Sequence, residues 1–298
     1  MRRTFTVVTA LAILAAACAG GSTGDTGDSR TTTTAAGRPA GAPARIVSLS
    51  PTATEMLFAI GAGDQVVAVD DQSDFPPGVP GTDLSGLTPN VEAIATYEPD
   101  LVVLAGDDAV AGLEALGIET IVNDGADTLD DSYAQIAELG IVTGHEEEAA
   151  EVVAGMRTGL EELASVAPDR DEPLTYYHEL DDTLYSVTSD TFIGEIYALA
   201  GLTSIADAAD PDGALGGFPQ LSPELVVEAD PDFVFLADTE CCAQTAETFA
   251  ARPGFSALTA VQEGRVVELD DDVASRWGPR VVDFLARVVE ATATVPAG

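Results

Sequence analysis

Two apolar stretches, residues 101–105 and 233–237, carry no polar position on either face, as strands buried inside a parallel sheet do. Each opens with Pro-Asp, at Pro99-Asp100 and Pro231-Asp232. Each is also preceded by a Ser/Thr-Pro pair that starts a short helix: Thr88-Pro89-Asn90-Val91-Glu92 in one case, Ser222-Pro223-Glu224 in the other. In both, a Glu lies eight residues before the Asp. A second echo runs upstream in the same order. Residues 52–61 and 191–201 read as apolar helices in which Glu55 and Glu195 each stand six residues before a capping glycine, Gly61 and Gly201. Strand-like runs ending in Asp70 and Asp207 follow. Two echoes in one order predict duplicated halves, and strands alternating with helices make each half α/β.

Between the halves, Ala149, Val152, Val153, Met156, Leu160 and Leu163 recur at helical spacing, and Glu146, Glu147 and Glu148 in the first turn suit the helix macrodipole. About 20 residues of helix would run about 30 Å. The expected division is therefore an N-terminal α/β lobe over 45–144, one stiff linking helix over 145–168, and a C-terminal α/β lobe over 169–298.

The first 44 residues follow neither period. Arg2 and Arg3 precede an almost wholly apolar run to Ala17, which is too short to span a bilayer and suits an export signal over 1–18. Small residues before Cys18 resemble a lipobox, in which the cysteine becomes the lipidated first residue; ordinary cleavage at Ala-x-Ala is the alternative. Residues 19–44 are Gly-, Ser-, Thr- and Ala-rich with no apolar core and read as a tether, which favours lipidation. The expected address is the outer face of the cell membrane, reached only through lipidated Cys18.

Charge narrows the partners. The chain has 51 acidic residues against 12 basic ones, every one an Arg, for a net charge of -39. Such a surface repels phosphate backbones and anionic lipid heads, which excludes nucleic acid and electrostatic membrane adhesion. With only His145 and His178, a His cluster for a bare transition metal is not expected, nor is any cofactor. Cys241 and Cys242 are adjacent: a vicinal disulfide in an oxidising compartment is one state open to them, two separate thiols the other. No Gly-x-Ser-x-Gly elbow, His-Glu-x-x-His helix, Walker phosphate loop or Gly-x-Gly-x-x-Gly is present. Glu55 and Glu195 stand in equivalent places, which predicts a matched structural role rather than acid–base work, and no enzyme activity is expected.

The chain resembles the periplasmic binding proteins that serve importers of ferric siderophores, haem and cobalamin. The likeness rests on residues 45–55, on Ser73-Asp74-Phe75-Pro76-Pro77, on Asn90-Val91-Glu92 with Pro99-Asp100-Leu101-Val102, and on Asp190-Thr191-Phe192-Ile193-Gly194-Glu195 with Gly264-Arg265-Val266-Val267. It covers residues 44–292. It implies the class III fold, two Rossmann-like lobes joined by a single long backbone helix, and a monomer that captures a metal chelate and presents it to an ABC-transporter permease. By the same likeness Glu92 and Glu224, one per lobe, would dock into arginine pockets of the permease. The ligand would lie between the lobes, against loops that follow the strands' carboxyl ends. In the first lobe these bring Ser50, Pro51, Thr52, Gln72, Asp74, Phe75 and Leu87; in the second, Tyr177, His178, Tyr185, Arg276 and Trp277. Arg276 beside the only Trp suits a chelate with a flat or anionic face. Cobalamin binders of this type place aromatics where this chain has Gln72 and Gly86, so an iron-siderophore ligand is favoured and cobalamin comes next. A surface lipoprotein that binds a macromolecule is the rival reading; it would expose a large apolar patch away from the cleft.

Overall fold

In the structure, a computed structural model that describes residues 41–168, 170 and 172–295, nine strands form two wholly parallel sheets. The export signal with Cys18, and the tether up to residue 40, lie outside the described residues.

The first sheet has β1 (Ile46–Leu49), β2 (Val66–Asp70), β3 (Gly81–Leu84), β4 (Leu101–Leu104) and β5 (Glu119–Val122), in the order β3-β2-β1-β4-β5. That is the doubly wound order, with the chain reversing direction across the sheet between β1 and β4. Its helices are α1 (Pro51–Ala59), α2 (Val91–Ala95), α3 (Val110–Ala115) and α4 (Leu129–Thr143). Then α5 (Glu146–Val166) crosses to the second lobe. There β6 (Leu174–Glu179), α6 (Phe192–Leu199), β7 (Leu202–Ser204), α7 (Pro223–Ala229), β8 (Phe233–Leu236), α8 (Ala246–Ala250), α9 (Thr259–Gln262) and β9 (Val266–Glu268) follow, closed by α10 (Asp271–Ser275) and α11 (Val281–Thr292). The sheet order is β7-β6-β8-β9, the pattern of the first sheet without a counterpart of β3.

The echoes in the sequence are equivalences in space. Ser50 and Thr191 cap α1 and α6 by accepting from the N–H three residues on; Asn90 and Ser222 do the same for α2 and α7. Gly61 and Gly201 follow the helices in the left-handed conformation, at φ of 85° and 75°. Gly194 is required by space: a Cβ there would lie 2.3 Å from the carbonyl oxygen of Thr188. Pairing Ile46 with Leu101 and Tyr176 with Phe233 aligns the two sheets residue by residue, so that Leu49 corresponds to Glu179.

Each sheet is covered on both faces. One face of each has its own core, Val47, Leu49, Val102 and Leu113 in the first lobe and Tyr177, Val234, Phe249 and Phe255 in the second. The other faces share a single core. It runs from Ile46, Met56 and Ile136 through Met156 and Leu160 of α5 to Tyr197, Phe235 and Phe284. Close approach makes this possible: Gly140 of α4 lies against Ala149, and Gly159 of α5 against Val282 of α11. The linking helix is therefore packed into both lobes along its length, which makes it a strut.

Candidate functional site

Because every strand is parallel to its neighbours, each lobe gathers at one end the segments that follow its strands' carboxyl termini. Those ends meet at a seam, where residues 276–280 after α10 abut the loop that follows β2 and the helix α4.

Glu55 is the centre of the seam. It lies on α1 and is buried, and its Oε1 accepts from Arg276 Nη1 at 2.9 Å and from Arg280 Nη2 at 2.6 Å. Oε2 accepts from Arg280 Nε at 2.9 Å. The fork of Arg280 thus grips the carboxylate with two parallel bonds, and this contact is the main reason its guanidinium holds its proton above the ordinary arginine range. Arg276 spends its other N–H groups on Asp74 Oδ1 at 3.3 Å, the carbonyl of Gln72 at 3.0 Å and Asp272 at 2.6 Å. Burial raises the Asp272 carboxyl to about 6 despite Arg276 beside it. Phe75 covers Arg280 face-on at 4.4 Å. A cavity of about 230 Å³ opens here, lined by Glu55, Phe58, Ala59, Phe75, Pro76, Pro279 and Arg280.

Trp277 is half-buried and belongs to the same seam. Its Nε1 donates to Gln135 Oε1 at 2.8 Å, and its carbonyl accepts from Ser132, both on α4 of the other lobe. The equivalent glutamate, Glu195 on α6, also crosses: its Oε2 accepts from the backbone N–H of Leu129, at the start of α4, at 2.8 Å. The matched role expected of Glu55 and Glu195 is therefore a contact between lobes, not one within each helix.

The remaining expected residues divide sharply. Phe75, Gln72, Asp74, Leu87 and Tyr185 are exposed on segments at the carboxyl ends of the strands, Leu87 at 86%. Ser50 and Thr52 are buried beneath this surface, with Pro51 partly so; Ser50 acts as the cap of α1. Tyr177 and His178 do not belong to the site. Both are fully buried within β6: Tyr177 stacks on Phe249 and donates to Glu179, and His178 Nδ1 meets Tyr197 OH at 2.8 Å. Burial alone drives the imidazole down to about 3, so it stays neutral. These two correct the sequence reading: the last residues of an aromatic strand are core on both faces here. Two residues that reading missed are Leu215 and Phe218, both exposed on the loop between β7 and α7. Gly213, Gly216 and Gly217 bend that loop at positive φ, and its run of glycines between two prolines was the available signal.

Below the second lobe's surface, Arg252 holds the buried Glu179 with bonds of 2.7 and 2.6 Å. Asp238 beside it is raised to about 7 by burial and by Glu179. Cys241 and Cys242 stand as exposed, unbonded thiols; Asp271 accepts from the Cys241 N–H at 2.9 Å. Glu92 and Glu224 are exposed in the first turns of α2 and α7, equivalent helices that both begin at the strand carboxyl ends. Among the described residues no cluster of three His, Cys, Asp or Glu is arranged to hold a metal ion, and no helix is long and apolar enough to cross a membrane.

A family model described as periplasmic binding protein matches residues 46–273, nearly all of both lobes. The chain belongs to that family. A cobalamin-binding protein of Halobacterium salinarum is 32% identical over 264 residues, 84% of this chain and 69% of its own. The ABC transporter substrate-binding lipoprotein YvrC of Bacillus subtilis, whose role is uncharacterised, is 28% identical over 260 residues, 84% of this chain and 80% of that one. Among solved structures, the periplasmic vitamin B12 binding protein BtuF of Vibrio cholerae superposes with a TM-score of 0.69 at 27% identity, over 85% of this chain and 97% of that one. Members of the family are binding proteins, and the two parallel α/β lobes joined by α5 are the class III form of the fold.

Proposed function

We propose that this protein is the extracytoplasmic solute-binding component of an ABC importer and captures a metal chelate, of the siderophore, cobalamin or haem kind, between its lobes. One observation carries the reading beyond family membership. Exposed large apolar side chains converge on the strand carboxyl ends of both lobes: Phe75 and Leu87 from one, Tyr185, Leu215 and Phe218 from the other. The seam cavity of about 230 Å³ is too small for a chelate of this class, so the ligand occupies the open surface between those residues. Rigid aromatic and apolar contacts of this kind suit the carbon-rich periphery of a chelate whose metal is already saturated by its own ligands. No catalytic role is assigned to any residue.

Presentation to the permease runs through Glu92 and Glu224, one carboxylate on each lobe, at matched positions of matched helices. Two docking points report the spacing of the lobes, and each suits a bidentate arginine. The reading also takes the mature chain to be a monomer tethered through lipidated Cys18, in keeping with the lipoprotein name of the Bacillus relative.

The single tryptophan supplies the test. Trp277 lies on the seam, so titration with ferric hydroxamates, cyanocobalamin and haem should change its emission for one of them at micromolar concentration or below. No response to any of the three, with no heat of binding by calorimetry, overturns the chelate reading. For docking, Glu92→Arg with Glu224→Arg should abolish uptake in cells and leave chelate affinity within twofold; normal uptake by that double variant refutes it.

A further inference from the structure

The loops that directly follow the nine strands carry no basic residue, and Arg276 and Arg280, between α10 and α11, are the cations that reach the seam. The site's usable positive charge therefore depends on these two. Both are already paired with carboxylates. All four Nη hydrogens of Arg276 have acceptors, at Glu55, Asp74, Asp272 and the Gln72 carbonyl. Arg280 gives two bonds to Glu55, lies 4.0 Å from Asp270, and has Phe75 over its face. Four carboxylates thus surround two guanidiniums. The third cation near this end, Arg252, is held bidentately by Glu179.

Beyond that cluster the same segments carry acidic side chains with no basic neighbour on their own loops. Asp71, Asp107 and Asp124 are exposed on the first lobe; Asp182, Asp212 and Glu240 on the second. Low-dielectric walls focus such a field into the space between them. An anion entering there meets unscreened carboxylates and must displace one of the acceptors that hold Arg276 to gain a counter-charge. A cation or neutral complex meets no such cost.

We propose that the cleft selects its chelate by charge and takes neutral or cationic complexes, excluding those that carry net negative charge. The inference rests on the chelate-binding reading and names the class within it. It reverses the expectation that Arg276 beside Trp277 serves an anionic face: the lobe opposite has already neutralised that arginine. Ferric tris-catecholates and haem, with its propionates, fall in the excluded class; hydroxamate complexes and corrinoids with intact amides fall in the accepted one.

Two matched probe series test this on the full-length protein by calorimetry. One is a linear ferric trihydroxamate bearing a free terminal ammonium, its acetylated neutral form and its succinylated anionic form. The other is aquocobalamin, cyanocobalamin and a cyanocobalamin monocarboxylate. In whichever series binds, the cation should bind about tenfold more tightly than the anion at about 0.1 M salt, and the ratio should shrink toward unity at about 1 M, where the Debye length falls to about 3 Å. Asp74→Asn with Asp272→Asn, which releases two of the four groups holding Arg276, should narrow the gap at low salt by about threefold. An anion that binds as tightly as the cation at low salt overturns the charge rule while leaving the chelate reading in place. Failure of every probe removes the chelate reading and the charge rule with it.

Discussion

Glu55 and Glu195 occupy one position in a fold built twice. Each lies on the helix that follows its lobe's first strand, and each ends up at the amino-terminal end of a helix in the opposite lobe, Glu55 at α11 and Glu195 at α4. What they find there differs. Glu55 is buried and is gripped by two guanidiniums; Glu195 is half-buried and accepts one backbone N–H. Topology sets where both side chains go, because equivalent helices point at equivalent seams. The local partner sets how strongly each is held, and the two sides of the seam are held unequally.

The sharpest way to break that comparison is Glu55→Ala. It leaves Arg280 with only Asp270 at 4.0 Å and takes one of four acceptors from Arg276. Removing one partner of a buried ion pair costs about 3–5 kcal/mol, because the remaining charge is stranded. Urea denaturation should show a loss of that size. Replacing Glu55 and Arg280 together, by Leu and Met, should recover most of it, since Arg276 keeps its other three acceptors and no guanidinium is left without a counter-charge. A single-variant loss below about 1 kcal/mol would mean the seam is not latched by this cluster.

The floors of the two lobes extend the contrast. By the strand register, Leu49 and Gly106 of the first lobe correspond to Glu179 and Asp238 of the second. At these two positions the first lobe has no charge, its buried strand carboxyl being Asp70 at the end of β2, whereas the second holds two buried carboxyls and one arginine, Arg252. Asp238, raised to about 7 chiefly by burial, binds a proton more tightly folded than unfolded. The sign follows: its contribution is full below the ordinary carboxyl range, and stability is lost as pH climbs from about 4 through 7. Asp272, raised to about 6, acts in the same direction. The wild type should therefore be more stable at pH 5 than at pH 8. Asp238→Asn, which stays neutral, should raise stability at pH 8 by about 1–3 kcal/mol and flatten the profile. A variant profile parallel to the wild type's, by thermal denaturation across that range, would exclude Asp238 as the cause.

What could be read from the chain alone follows from which signals are local. The helix caps, the glycines after them, and the repeated Ser/Thr-Pro and Pro-Asp pairs lie within a few residues of what they control, so both lobes and the strut between them were legible. The matched first-turn positions of Glu92 and Glu224 were legible for the same reason. The partner of Glu55 is more than two hundred residues away, and nothing near Glu55 or Arg280 announces the other. Tyr177 and His178 misled because polar residues at a strand's end look like a site, and only the helices packed on the two faces of the sheet bury them, α8 over Tyr177 and α6 with α11 over His178. Leu215 and Phe218 sit in a glycine-bent loop with no period, where exposure depends on the path of the backbone rather than on any pattern.

The weaker side of the seam gives the smallest effect and the most discriminating one. Thr128 and Asp131 already form a capping box on α4, satisfying the N–H groups of the cap and of the third helical residue, which leaves the Leu129 N–H for Glu195. Glu195→Ala removes that one acceptor and a carboxylate near the helix's positive end, a loss of about 1 kcal/mol. Amide exchange at Leu129 should speed up while the rest of α4, anchored by Tyr133, Ile136 and Leu139 in the shared core, keeps its protection. Combining Glu195→Ala with Glu55→Ala then asks whether the seam is one device or two. Separate contacts on rigid lobes give losses that add to within about 0.5 kcal/mol. A double variant that loses distinctly less than the sum means that breaking the strong side already frees the weak one, and the two glutamates then work as a single latch whose halves come from the two repeats.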